Sequence, residues 1–113
     1  MYYIGRYYIE EDDLVPIEIV EKLKAKGFPI KHITVGPVFN VRSEPIAPHI
    51  DGVLKWLRKE KKIHIVIDFD KNMTWYYQIA IFGNTDIANT NYGYKSYEQS
   101  ALTGIEYTLD NLI

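Results

Sequence analysis

A chain of 113 residues with 47% hydrophobic and 25% charged side chains has the make-up of one globular domain, with room for a single core and little for a deep internal pocket. Its formal charge of −2 exerts no global pull on nucleic acid or anionic membrane, and the lack of cysteine excludes disulfides, thiolate metal sites and cysteine nucleophiles. No apolar run approaches the roughly 18 to 20 residues that span a bilayer, and the start Met1-Tyr2-Tyr3-Ile4-Gly5-Arg6 has neither the basic nor the apolar region of a signal peptide, so a cytoplasmic protein with no membrane partner is expected.

Residues 1–13 read as an N-terminal arm or strand, aromatic at first and acidic at Glu10-Glu11-Asp12-Asp13. Val15, Ile19, Val20 and Leu23 then follow helical spacing. Asp13 suits the N-cap, the carboxylates oppose the positive end of the helix dipole, and Lys22, Lys24 and Lys26 suit the other end. Gly27 fits the left-handed C′ position, with Phe28 and Leu23 as the apolar pair of a Schellman ending. The spacing predicts a helix over about 14–26.

A strand is expected near 30–35, before Pro37, Pro45 and Pro48 break regular structure. Pro48 suits the first turn of a helix over 47–60, whose apolar stripe is Ile50, Val53, Leu54 and Leu57 with Trp56 on its flank. Gly52 inside that helix suggests close approach of another backbone. Ile63–Phe69 and Trp75–Phe82 alternate as the arms of a hairpin. Their pattern sets Ile63, Ile65, Ile67 and Phe69 opposite Ile81, Ile79, Tyr77 and Trp75, with Asn72 or Met73 left-handed in the turn. The opposite face, His64, Val66, Asp68, Tyr76, Gln78 and Ala80, is apolar enough to expect partial cover. Residues 83–95, rich in Asn, Thr and Gly, read as a mobile loop. Ser96 and Gln99 fit a capping box opening a helix over 97–112, with Tyr97, Ala101, Leu102, Ile105, Leu109 and Leu112 on one face.

The candidates for chemistry are few. Asp68-Phe69-Asp70-Lys71-Asn72 resembles the start of a calcium loop, but Met73 stands where glycine is needed and Ile79 where a glutamate is needed. A charged hairpin tip explains it better. His32, His49 and His64 have no helical ligand spacing. Asn72-Met73-Thr74 matches a glycosylation sequon, accidental in a chain expected to stay in the cytoplasm. No nucleophile elbow, Walker loop or dinucleotide fingerprint occurs. His64 and Asp68 share one strand face and suggest an enzyme as a third reading, beside a dispersed carboxylate pair that could act as acid and base. The expectation is therefore no enzyme, no cofactor and no metal.

Two sets of residues suggest binding. Ten tyrosines offer large apolar rings with polar tips, suited to interfaces. Tyr2, Tyr3, Tyr7 and Tyr8, with Tyr92 and Tyr94, are the candidate contacts to a protein partner or a second copy. Lys55, Arg58, Lys59, Lys61 and Lys62 surround Trp56 and combine phosphate neutralisation with aromatic stacking, so they are the candidate nucleic-acid contacts. Overall acidity, and the preference of cations for a helix C-terminus, weigh against that second reading.

Leu23-Lys24-Ala25-Lys26-Gly27-Phe28, then Ala47-Pro48 leading to Val53-Leu54-Lys55-Trp56-Leu57-Arg58, Ile63-His64-Ile65-Val66-Ile67, Trp75-Tyr76-Tyr77 and Tyr97-Glu98-Gln99-Ser100-Ala101-Leu102 running to Ile105 and Leu109 form an ordered pattern over most of residues 15–113. In that order the chain resembles small uncharacterised proteins of prophages and mobile elements in Bacteroides-type bacteria. It departs at His49, where a small hydroxyl or an aromatic is expected, and in its longer, more aromatic lead-in. The resemblance implies an origin and carries no activity. Altogether the sequence points to a single α+β domain over 1–113: a small antiparallel sheet centred on the 63–82 hairpin, with helices 47–60 and 97–112 on one face. Its expected role is a non-enzymatic binding module, with a homodimer as one form.

Overall fold

The computed structural model describes residues 13–113, and the fold is α+β. The expected arm lies outside the described residues apart from Asp13. The chain divides between His49 and Ile50 into two compact units.

In the first unit, helix α1 (Ile17–Ala25) is followed by strands β1 (His32–Val35) and β2 (Arg42–Pro45), which pair antiparallel. The helix starts later than the expected residue 14, and Asp13 is not its cap. Leu14 forms a bridge with His49, and the Val15 amide donates to the Pro48 carbonyl at 2.9 Å, which holds this stretch extended. Pro16 also biases its predecessor away from helical geometry and is itself the N-cap, without a side-chain cap. The C-terminus is as the spacing predicts. Gly27 takes φ +93°, the Phe28 amide donates to the Leu23 carbonyl at 3.0 Å, and the Gly27 amide donates to Lys24 at 3.1 Å. That is the Schellman pattern.

The β2 strand occupies a stretch that the prolines seemed to exclude. Pro45 lies opposite His32, and the neighbouring bond from the Ile46 amide to the Lys31 carbonyl places Pro45 at a site where antiparallel pairing needs no amide. Between the strands, Pro37 opens a tight turn over Val38–Asn40, closed by the Asn40 amide donating to Pro37 at 2.8 Å. Gly36 has φ +105°, and a Cβ there would lie 2.5 Å from the Asn40 carbonyl oxygen, so only glycine fits this entry.

The second unit contains α2 (Ile50–Glu60), β3 (Ile63–Phe69), β4 (Trp75–Ile81), β5 (Ile87–Tyr94) and α3 (Tyr97–Asn111). Helix α2 starts at Ile50 rather than 47, because residues 48 and 49 hold the extended bridge to 14 and 15. Pro48 therefore precedes the helix. The β3–β4 register is the expected one, with Ile65 opposite Ile79 and Phe69 opposite Trp75. Met73 takes the left-handed conformation at φ +63°.

Residues 87–94 are a strand, where their composition suggested a loop. β5 completes the antiparallel order β3-β4-β5, and its tyrosines lie against those of β4: Tyr92 on Tyr76 at 5.2 Å and Tyr94 on Tyr77 at 5.9 Å between ring centroids. Two register shifts accommodate its asparagines and glycine. At α3 the Ser96 hydroxyl accepts from the Gln99 amide at 3.1 Å, while Gln99 Oε1 accepts from the Lys95 amide at 2.8 Å. The reciprocal cap thus engages one residue upstream of the usual N-cap amide.

Helices α2 and α3 pack on the sheet face that carries Ile63, Ile65, Tyr77 and Ile79, and these bury Val53, Leu54, Leu57, Ala101, Ile105 and Leu109 with them. The close approach occurs at Gly104, where a Cβ would sit 3.2 Å from both Ile65 Cγ2 and the Tyr77 ring. At Gly52 a Cβ would meet nothing within 4 Å, so no backbone packs there. The two glycines therefore predict opposite outcomes in urea unfolding. Gly104→Val overpacks an immobile contact and lowers stability by about 2–3 kcal/mol, whereas Gly52→Ala removes backbone entropy from the unfolded chain and raises stability by about 0.5–1 kcal/mol.

Candidate functional site

The hairpin tip that suggested calcium is closed on itself. Asp70 Oδ1 accepts from the Asn72 amide at 2.9 Å, from the Thr74 amide at 3.3 Å and from the Thr74 hydroxyl at 3.2 Å. Burial pushes the Asp70 carboxyl up, but these hydrogen bonds outweigh it and hold the group below its ordinary value. Its oxygens are occupied in shaping the turn. Among the described residues no cluster of three or more His, Asp or Glu is placed to hold a metal ion.

His64 and Asp68 do share an exposed face of β3. A strand rises about 3.3 Å per residue, so their Cα atoms stand about 13 Å apart with Val66 between them. That spacing is too long for an acid–base pair, and Asp68 Oδ1 already accepts from the Phe69 amide at 2.8 Å.

On this second sheet face Tyr76, Gln78 and Ala80 are half-buried, and the β3 residues lie open. His64, Val66 and Asp68 of β3 are exposed, as are Ile87 and Tyr92 of β5, with Tyr92 at 58%. The two helices cover the opposite face, and three short strands offer no further element to close this one. Of the candidate tyrosines, Tyr92 stands on the open face beside Tyr76, and Tyr94 is half-buried against Tyr77. Tyr2, Tyr3, Tyr7 and Tyr8 lie outside the described residues.

The basic segment is divided between the exposed surface of α2 and a neighbouring groove. Lys55 and Lys59 are exposed on α2. Lys61 Nζ sits 5.4 Å from the centroid of the Trp56 ring, a cation–π contact. Lys62 Nζ donates to the Lys59 carbonyl at 2.9 Å, which occupies one of its hydrogens. Arg58 and Lys62 line an open groove of about 420 Å³ together with His64, Phe82 and Asn84 over a floor that includes Ile63 and Ile81. Phe82 is 85% exposed there.

Residues that the sequence did not single out are the most exposed of the large hydrophobic side chains described. At the tip of the β1–β2 hairpin Val38 is 94% and Phe39 91% exposed, with Val41 beside them. The signal in the sequence was a Val-Phe pair next to Pro37, in a stretch with no helical or strand period to bury it. No family model matches the chain, and no curated protein or solved structure is significantly similar to it. No helix among the described residues is long and apolar enough to cross a membrane.

The buried polar anchor of the sheet is Tyr77, whose hydroxyl donates to Asn89 Oδ1 at 2.7 Å and so ties β4 to β5. Burial, followed by the proximity of Tyr94, pushes its pKa up to about 12. A raised value in the folded state means that this stabilisation is complete below pH 10 and is lost as pH rises from about 10 towards 12, because only the unfolded chain releases the proton in that interval. Urea midpoints measured across that window should fall in the wild type and fall less steeply in Tyr77→Phe.

Proposed function

We propose that the protein is a small non-enzymatic interaction module of phage or mobile-element origin, acting in the cytoplasm by docking on another protein. The observation that supports this best is the hairpin tip. Val38 and Phe39 are almost fully exposed, yet they sit on a turn fixed by Gly36, Pro37 and the Asn40 amide. Burying a side chain of this kind is worth about 1.5–3 kcal/mol, and folding leaves that gain unused at two adjacent positions.

In-cell cross-linking followed by mass spectrometry tests the reading. The wild type is expected to cross-link to one defined protein, and Val38→Asp/Phe39→Asp to lose it without a change in Tm, since neither side chain supports the fold. A partner retained by the double variant would refute docking through the tip.

The second reading is nucleic-acid binding, and the convergence of Arg58, Lys62 and His64 beside Phe82 favours it. Phosphate neutralisation and base stacking would then operate at one groove. Fluorescence titration with single- and double-stranded oligonucleotides at low salt decides it. Binding should weaken in Arg58→Ala and the salt slope should flatten by about one for each phosphate contact removed. A wild type that fails to bind at tens of micromolar rules the reading out.

A further inference from the structure

Among the described residues, the outer edge of β3 is a seven-residue backbone edge without a strand partner. β3 pairs with β4 and with nothing else among the described residues. The bonds from the Phe82 amide to the Lys62 carbonyl and from the Asp70 amide to the Thr74 carbonyl fix the alternation of the ladder. Even-numbered residues of β3 therefore direct their amides and carbonyls to β4, and Ile63, Ile65, Ile67 and Phe69 direct theirs outward. Natural edges are blunted by proline, lysine, bulges or short length. β5 follows that practice, with two register shifts and Gly93 at φ +87°. β3 has seven residues in unbroken register with no proline, glycine or lysine among them.

Its sequence is also palindromic in chemistry. About Val66, Ile65 mirrors Ile67, the apolar Ile63 mirrors the apolar Phe69, and basic His64 mirrors acidic Asp68. An antiparallel partner that is a second copy inverts this order, so each His64 meets the other copy's Asp68.

We infer that β3 pairs antiparallel with β3 of a second copy across a two-fold axis at Val66, giving one continuous sheet of six strands, three from each copy. The inference rests on the reading of the chain as an interaction module and names the partner and the surface. Ile65 and Ile67 of opposite copies exchange backbone hydrogen bonds, and Ile63 with Phe69 extends the ladder at each end once Asp68 yields the Phe69 amide it now holds. Val66 faces Val66, and His64 faces Asp68, at the non-hydrogen-bonded sites where side chains come closest. Opposite charges directly across an antiparallel pair are favourable and like charges unfavourable. A slip of two residues would set His64 or Asp68 against Val66 and separate the imidazole from the carboxylate, so this polar pair selects the register as well as the partner. The pairing is isologous and closes, so it yields a dimer rather than a fibre.

Sedimentation velocity on the full chain over a range of concentrations tests the inference, with hydrogen exchange at the Ile65 and Ile67 amides as a second readout. The wild type should dimerise, and both amides should become more protected as concentration rises. His64→Asp sets like charges opposite each other at two symmetric positions and should weaken dimerisation about tenfold. The exchange His64→Asp/Asp68→His should restore it. All of these positions are exposed, and circular dichroism should show the fold intact throughout. A chain that stays monomeric to about millimolar concentration, a dimer indifferent to His64→Asp, or a dimer not rescued by the exchange would each overturn the inference. The broader reading fails separately. A monomeric chain that still loses a cellular partner in Val38→Asp/Phe39→Asp refutes only the edge pairing, and a β3 dimer with no other partner refutes only docking through the tip.

Discussion

The approach of α3 to the sheet at Gly104 is the contact on which the second unit depends. A missing side chain lets the helix settle against Ile65 and the Tyr77 ring at distances no Cβ would comfortably share. Ser100 and Thr108, one helical turn to either side, are small and fully buried on the same ridge. Thr108 satisfies its hydroxyl by donating to the Gly104 carbonyl at 2.9 Å. Among the described residues Ser100 Oγ has no hydrogen-bond partner in this close helix–sheet seam. The Tyr77 ring fills the space beneath Gly104, and its hydroxyl leaves sideways to Asn89. One side chain thus joins the helix layer, β4 and β5.

That seam explains why the other face stays open. Two helices over three strands bury one side of a sheet and have nothing to give the other. The open side is a mixture: His64, Asp68 and Gln78 are polar, Val66 is only 38% exposed, and Tyr76 and Tyr92 shield each other by ring contact. Single apolar residues on a surface are ordinary. What distinguishes β3 is the combination of that mild face with a backbone edge unpaired among the described residues, and what distinguishes the hairpin tip is the exposure of its apolar side chains.

Elements governed by local rules were legible in the sequence. The Schellman end at Gly27, the Ser96 cap, the Met73 turn and the Ile65–Ile79 register follow from side chains within a few residues of where they act, or from a period of two that tolerates no slip. Failures arose where distant contacts overrode local ones. The bridge of Leu14 and Val15 to Pro48 and His49 shortens α1 and α2 together, and neither segment alone reveals it. β5 is held by rings on β4 and by Asn89 under Tyr77, contacts invisible to a composition count that saw asparagine and glycine and read a loop. The candidate basic segment is divided by contacts of its own residues. Lys61 turns to Trp56 and Lys62 to a carbonyl, so a run of charge in sequence became two charges at a groove.

Both outward features stand on hydrogen-bonded backbone. Binding loses affinity to every side chain and loop that must be ordered on association. The tip is shaped by the glycine entry at Gly36 and by a three-residue turn closed by the Asn40 amide. The β3 edge is held straight by seven unbroken pairs with β4 and by α2 and α3 beneath it. A partner meeting either surface would pay little of that ordering cost. Apolar residues left outside by accident would be expected on slack segments, where they could fold back and hide. These stand on a hydrogen-bonded turn and on an unbroken ladder, backbone that leaves them little local freedom to fold back.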